Sequence, residues 1–161
     1  MNISLFKTAI AKAPQENISL EQLVQIVGAT TKYGENIPDK KSEPDKYKAF
    51  KMTLPSVRIA GTFSAPGSAN LIKQSGYIGL DIDNLNEEQV KQYTAALKQD
   101  KFVHAFWLSV SKKGFFIVVK IPICNGENVD IIRDYKERHV ALEDYFLSGY
   151  GYVLDPACKD L

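Results

Sequence analysis

The chain has 161 residues, with 20 lysines and arginines against 19 aspartates and glutamates, so net charge argues neither for nor against a polyanionic partner. That length suits one domain with one buried core. Cys124 and Cys158 stand far apart, outside any Cys-x-x-Cys or Cys/His pattern; this speaks against a zinc site or a disulfide framework and for a reducing cytoplasm.

The first stretch, Ile3 to Ala13, reads as helix-like but is too short and too charged for a signal peptide, and no later apolar run reaches the about 18 residues of a membrane span. Ser19 to Val27 carries apolar residues at helical spacing before Gly28, and Ser19 with Gln22 makes a capping box. Thr30 to Asp45, with Gly34, Pro38 and Pro44, reads as an irregular connection. Residues 1–45 are thus expected to form a helical N-terminal extension, and 46–161 the core. Helicity resumes over Pro44 to Lys51, with Pro44 in the first turn. Ser56 to Phe63 predicts a strand, Ser64 to Asn70 a flexible loop, and Gly76 to Asp83 a second strand.

Glu87 to Gln99 has Val90, Tyr93, Ala96 and Leu97 at helical intervals. Val103 to Val110 and Phe115 to Ile121 flank Ser111-Lys112-Lys113-Gly114, which predicts a β-hairpin with a basic tip. A helix over Asn128 to about Leu147 and a last strand over Tyr152 to Asp155 complete the order. Hairpins mixed with crossovers predict an α+β fold with a largely antiparallel sheet.

Three places carry candidate chemistry. In a strand Asp81 and Asp83 share a face, and two adjacent carboxylates repel unless a hard cation such as Mg²⁺ or Mn²⁺ neutralises them. The competing reading ends the strand there and uses Asp83-Asn84-Leu85-Asn86 to turn the chain and cap the next helix. The hairpin supplies Ser109, Ser111, Lys112, Lys113 and Gly114, whose hydroxyls, N–H groups and ammonium groups suit phosphate oxygens. A solvated tip whose glycine takes a positive φ explains the same residues. Asp155 ends the last strand, where Asp155-Pro156 also reads as a turn. Two acids, a basic turn and a late acid form a kit for a metal-bound nucleoside triphosphate.

This succession resembles the catalytic core of the archaeo-eukaryotic primase (primase-polymerase) superfamily and, more narrowly, the VirE N-terminal domain family, found with helicases in bacterial mobile elements. The matching stretches are Tyr47 to Lys51, Leu54 to Phe63, Gly79 to Leu85, Ser109 to Phe115 and Leu154 to Asp160. The resemblance implies a sheet of RNA-recognition-motif type with helices on one face. It implies Asp81, Asp83 and Asp155 as a catalytic triad holding Mg²⁺ or Mn²⁺, and Ser111, Lys112, Lys113 and Gly114 facing the triphosphate. DNA or RNA template, nucleoside triphosphates and a helicase would be the partners, in nucleotidyl transfer during replication. Two departures bear on activity. Phe116 stands where such enzymes carry a phosphate-binding histidine or, in VirE-type relatives, often a lysine, and Lys112 stands where a small residue is expected. Chains of this kind continue past the final aspartate, so the sequence is expected to be a fragment of a longer protein.

The alternatives are a non-catalytic nucleic-acid- or helicase-binding module, which Phe116 favours, and an Asp-x-Asp phosphohydrolase, which would call for a parallel α/β fold. His139 reads as a surface or satisfied helix residue. Of Phe106 and Trp107, alternation sends at least one into the core, and the other is free to stack on a base.

Overall fold

The computed structural model describes residues 1–29 and 37–155; the expected connection falls partly, and Pro156 to Asp160 wholly, outside them. The architecture is α+β: every paired strand among the described residues is antiparallel, and four helices accompany them. The chain does not separate near residue 45. Met1–Pro66 with Asn70–Ser75 forms one compact unit, and Gly67–Ala69 with the chain from Gly76 onward forms another.

In the first unit, β1 (Asn2–Phe6) lies between β2 (Glu16–Ser19) and β3 (Ser56–Arg58). The expected helix at Ile3 to Ala13 is therefore a strand followed by a turn. Apolar residues at positions 3, 5, 6 and 10 fit a helical repeat, but Ile3, Leu5 and Phe6 are buried while Ile10 is exposed. The buried Ser4 hydroxyl donates to Asn17 Oδ1 at 2.8 Å and accepts from Phe63 N–H at 2.9 Å. Helix α1 (Leu20–Ala29) starts at the expected capping box: Ser19 N–H donates to Gln22 Oε1 and Gln22 N–H to Ser19 Oγ. Helix α2 (Pro44–Thr53) has proline in its first turn. The expected strand over Ser56 to Phe63 is broken into β3 and β4 (Gly61–Phe63), and β4 pairs with β5 (Leu71–Gln74), which the sequence reading passes over. Gly61 permits that pairing, because a side chain there would collide with the Lys73 carbonyl oxygen.

The second unit runs β6 (Tyr77–Ile82), α3 (Glu87–Leu97), β7 (Val103–Leu108), β8 (Phe115–Lys120) and α4 (Asn128–Tyr150), with sheet order β6-β8-β7. One face presents Ile78, Leu80, Ile82, Phe115 and Ile117, all buried. Helix α3 buries Tyr93 and Leu97, and α4 buries Tyr135, His139 and Phe146. His139 is thus an interior residue, its Nδ1 3.9 Å from Glu143 Oε1.

Helix α4 ends at Gly151, in the left-handed region at φ 71°, which only glycine enters cheaply. Gly151 N–H bonds Leu147 O, and Tyr152 N–H bonds Phe146 O. This cap turns the chain back. Tyr152 and Leu154 are buried and Val153 between them is exposed, so the segment alternates like a strand. The Tyr152 ring meets those of Tyr93 and Phe146, which puts the helices on the side toward which Tyr152 and Leu154 point.

Candidate functional site

The expected acids come from the end of β6 and the segment after α4. Ile121 N–H bonds Gly76 O, and hydrogen-bonded pairs recur every second residue of an antiparallel ladder. Hence Ile78/Val119, Leu80/Ile117 and Ile82/Phe115 are hydrogen-bonded pairs, and Asp81/Phe116 is a non-hydrogen-bonded one. Two consequences follow. The carbonyl of Asp81 points away from β8 to the free edge of β6, where it accepts the N–H of Asp155 at 2.8 Å. And the Asp81 and Phe116 side chains stand side by side, since Cα atoms in such pairs are only about 4.5 Å apart. Asp155 is therefore a backbone neighbour of Asp81, but the expected last strand over Tyr152 to Asp155 is not formed: the segment runs beside β6 without becoming a strand.

Asp83 lies one residue beyond β6. Asn84 turns the chain with φ 61°, Leu85 N–H bonds Lys113 O, and Asn86 caps α3 in a capping box with Gln89. The turn-and-cap reading of Asp83 to Asn86 thus describes this segment. Asp83 Oδ1 also lies against Gly114, and a side chain at Gly114 would collide with the Ile82 carbonyl oxygen. Gly114 is needed for close approach. The residue with positive φ in the hairpin is instead Lys112, at 58°. A four-residue connection closes on the bonds Lys112 N–H to Ser109 O and Ser109 N–H to Gly114 O, and its geometry assigns the left-handed position to Lys112. Ser109 and Ser111 join through their hydroxyls at 3.0 Å, while Lys112 and Lys113 are exposed.

The tip and the acids therefore share one end of the sheet. Among the described residues no group of three or more Asp, Glu, His and Cys side chains is placed so as to hold a metal ion.

On the face carrying Asp81, Phe116 pairs with Trp107 of β7 and their rings stack, centroids 5.0 Å apart at 28°. On the helix side, Phe106 meets Phe115 edge to face. Alternation thus divides the aromatic pair as expected. A bulge at His104 brings that ring 5.4 Å from Tyr77.

A second polar cluster escapes sequence reading. Asp100, almost fully buried, accepts Phe102 N–H and Val103 N–H on Oδ1, and the hydroxyls of Tyr145 (2.9 Å) and Tyr150 (2.6 Å) on Oδ2. Burial pushes its carboxyl up, but the bonds from Tyr150, Phe102, Tyr145 and Val103 together outweigh burial and hold it below the usual carboxylate range. The same bond to Asp100, with burial, raises the Tyr150 phenol; burial and then Asp100 raise Tyr145. Burial first, then the neighbouring Tyr93 and Asp100, push Tyr152 up to about 12. Asp100 fastens the end of α4 to the start of β7, and so sets where the chain reaches β6.

A family model described as BT4734-like, N-terminal domain, matches residues 49–160, more than half of the chain. No curated protein and no solved structure matches it.

Proposed function

The chain belongs to the BT4734-like N-terminal domain family, and we propose that it is a primase-polymerase-like domain that binds the phosphates of a nucleotide or nucleic-acid strand at the Asp81 end of the β6-β8-β7 sheet. The observation that carries this reading is the seat of Gly114 against Ile82 and Asp83, which holds a hairpin tip with two lysines and two serine hydroxyls beside the sheet's acidic end. Support for the primase-like character comes from the order strand, helix, strand, strand, helix, with a trailing segment on the free edge of β6, as in RNA-recognition-motif sheets. Template, helicase and a place in mobile-element replication rest on the resemblance alone.

Phosphate would be held by the Lys112 and Lys113 ammonium groups and the Ser111 hydroxyl, since charge-assisted bonds to phosphate are the strong ones. Asp81 and Asp83 are the residues that would hold a Mg²⁺ or Mn²⁺ ion beside those phosphates, as the resemblance implies. Phe116 favours a domain that binds without catalysing: its ring, beside Asp81, cannot hold a phosphate. Calorimetric titration with ATP, with and without Mn²⁺, tests the reading. Lys112→Ala with Lys113→Ala should weaken ATP at least about tenfold, the worth of one charge-assisted contact of about 1.5 kcal/mol. Unchanged affinity in that variant refutes the hairpin as the phosphate site. A Mn²⁺-dependent rise in thermal midpoint, lost with Asp81→Asn and Asp83→Asn together, would add a cation to it.

A further inference from the structure

We propose that Trp107 and Phe116 form a stacking platform for an unpaired nucleobase, so that this end of the sheet takes a single strand of nucleic acid; the inference rests on the phosphate reading of the adjoining hairpin. The two rings already stack on each other at 5.0 Å. Sheet order leaves β7 at the edge, so no strand lies beyond Trp107, and among the described residues Phe116 is its one ring partner. A base laid on the outer face of Trp107 would continue the stack as a third ring. The open part of this face is its Asp81 end: Trp107, Phe116 and Asp81 keep partial exposure, whereas Val118 and Tyr77 further along are buried.

The occupant follows from what adjoins the rings. β7 and β8 lead from the Trp107/Phe116 rung straight into the tip bearing Lys112 and Lys113, about 10 Å away at strand rise. Aromatic rings beside a cationic tip match a ligand that carries flat π-faces and phosphates together, which a single strand does at every residue. Phe116 offers a flat aromatic face at this rung and no group that could bond a phosphate, which suits a base there and leaves the phosphates to the lysines.

Trp107 is the chain's single tryptophan, so its emission reports on the platform. The full chain is titrated with short oligo(dT), oligo(rU) and an abasic deoxyribose-phosphate oligomer of equal length. Quenching of Trp107 by either base-bearing strand, with affinity about 5- to 150-fold above the abasic oligomer, is the expected result. The sugar giving the larger effect identifies the strand as DNA or RNA. Phe116→Leu should lower affinity for the base-bearing strand and leave abasic binding unchanged, while Phe116→Tyr retains both. Should the leucine variant not fold, the wild-type comparison with the abasic oligomer still decides. Equal binding of all three without quenching overturns the platform and leaves the phosphate reading standing. No binding of any overturns both.

Discussion

Replacing Asp100 with asparagine should destabilise the second unit by roughly 2–3 kcal/mol at neutral pH, a large effect for a change of one atom. The carboxylate accepts four hydrogen bonds, two of them from the phenols of Tyr145 and Tyr150, in a nearly fully buried position. In Asp100→Asn the carbonyl oxygen still serves Phe102 and Val103, but the amide must donate to phenols that had been donating. Two charge-assisted bonds of about 1.5–3 kcal/mol become neutral ones of about 0.5–1.5, a loss of about 1–1.5 each. For a chain of this size that lowers the thermal midpoint by roughly 4–12 °C. Trp107 emission follows the unfolding of this unit, and its melting curve gives the number. The pH dependence checks the charge. Because the folded carboxyl lies below its ordinary value, its stabilisation is present above about pH 4 and is lost as pH falls through the folded value. The variant should lose that acid limb. At the other extreme the raised phenols favour the folded state below about pH 10, and that contribution is lost as pH climbs through their folded values, about 12 for Tyr152. A variant within about 0.5 kcal/mol of the wild type, with an unchanged acid limb, would refute the cluster's role.

Two substitutions in the hairpin separate stability from binding. Lys112→Gly should stabilise by up to about 1 kcal/mol in urea unfolding, since a side chain at φ 58° is strained, yet it should weaken ATP; a loss of stability would show that the turn is not strained at this residue. Gly114→Ala should cost roughly 2–3 kcal/mol, because its methyl group meets the Ile82 carbonyl oxygen and the hairpin must leave Asp83. Phosphate affinity should fall with it, and an alanine variant that binds and unfolds like the wild type would disprove the close seat.

The second unit was more legible in the sequence than the first. Its elements announce themselves by composition, period and punctuation: the apolar run Tyr77–Ile82 interrupted by Asp81, the capping residue Asn86 before α3, and a basic four-residue tip between two apolar runs. In the first unit the strands are three to five residues long, too short for alternation to outvote a helical spacing, and β1 was hidden for that reason. The apparent single strand breaks at Ile59-Ala60, and Gly61 opens β4 against a neighbour twelve residues on, the Lys73 carbonyl, which no local pattern records.

At the site the same division holds. That Asp81 and Phe116 share a face follows from period two once β6 and β8 are paired, and the pairing partner itself follows from the hairpin and the crossover. Gly114 was visible as a required glycine, but for the wrong cause: a turn glycine ordinarily supplies positive φ, and here closeness to Ile82 demands it while Lys112 takes the left-handed turn. Asp100 was invisible because its phenol partners lie 45 and 50 residues away, and no spacing rule links a helix-end aspartate to tyrosines on a later helix. Yet it governs the candidate site. Through Tyr145 and Tyr150 it holds the last turns of α4 to the start of β7, directly before the Gly151 cap turns the chain toward the bond from Asp155 to the carbonyl of Asp81. Two of the acids most easily read from the sequence thus meet just beyond a helix end that is anchored by a residue the sequence gives no reason to notice.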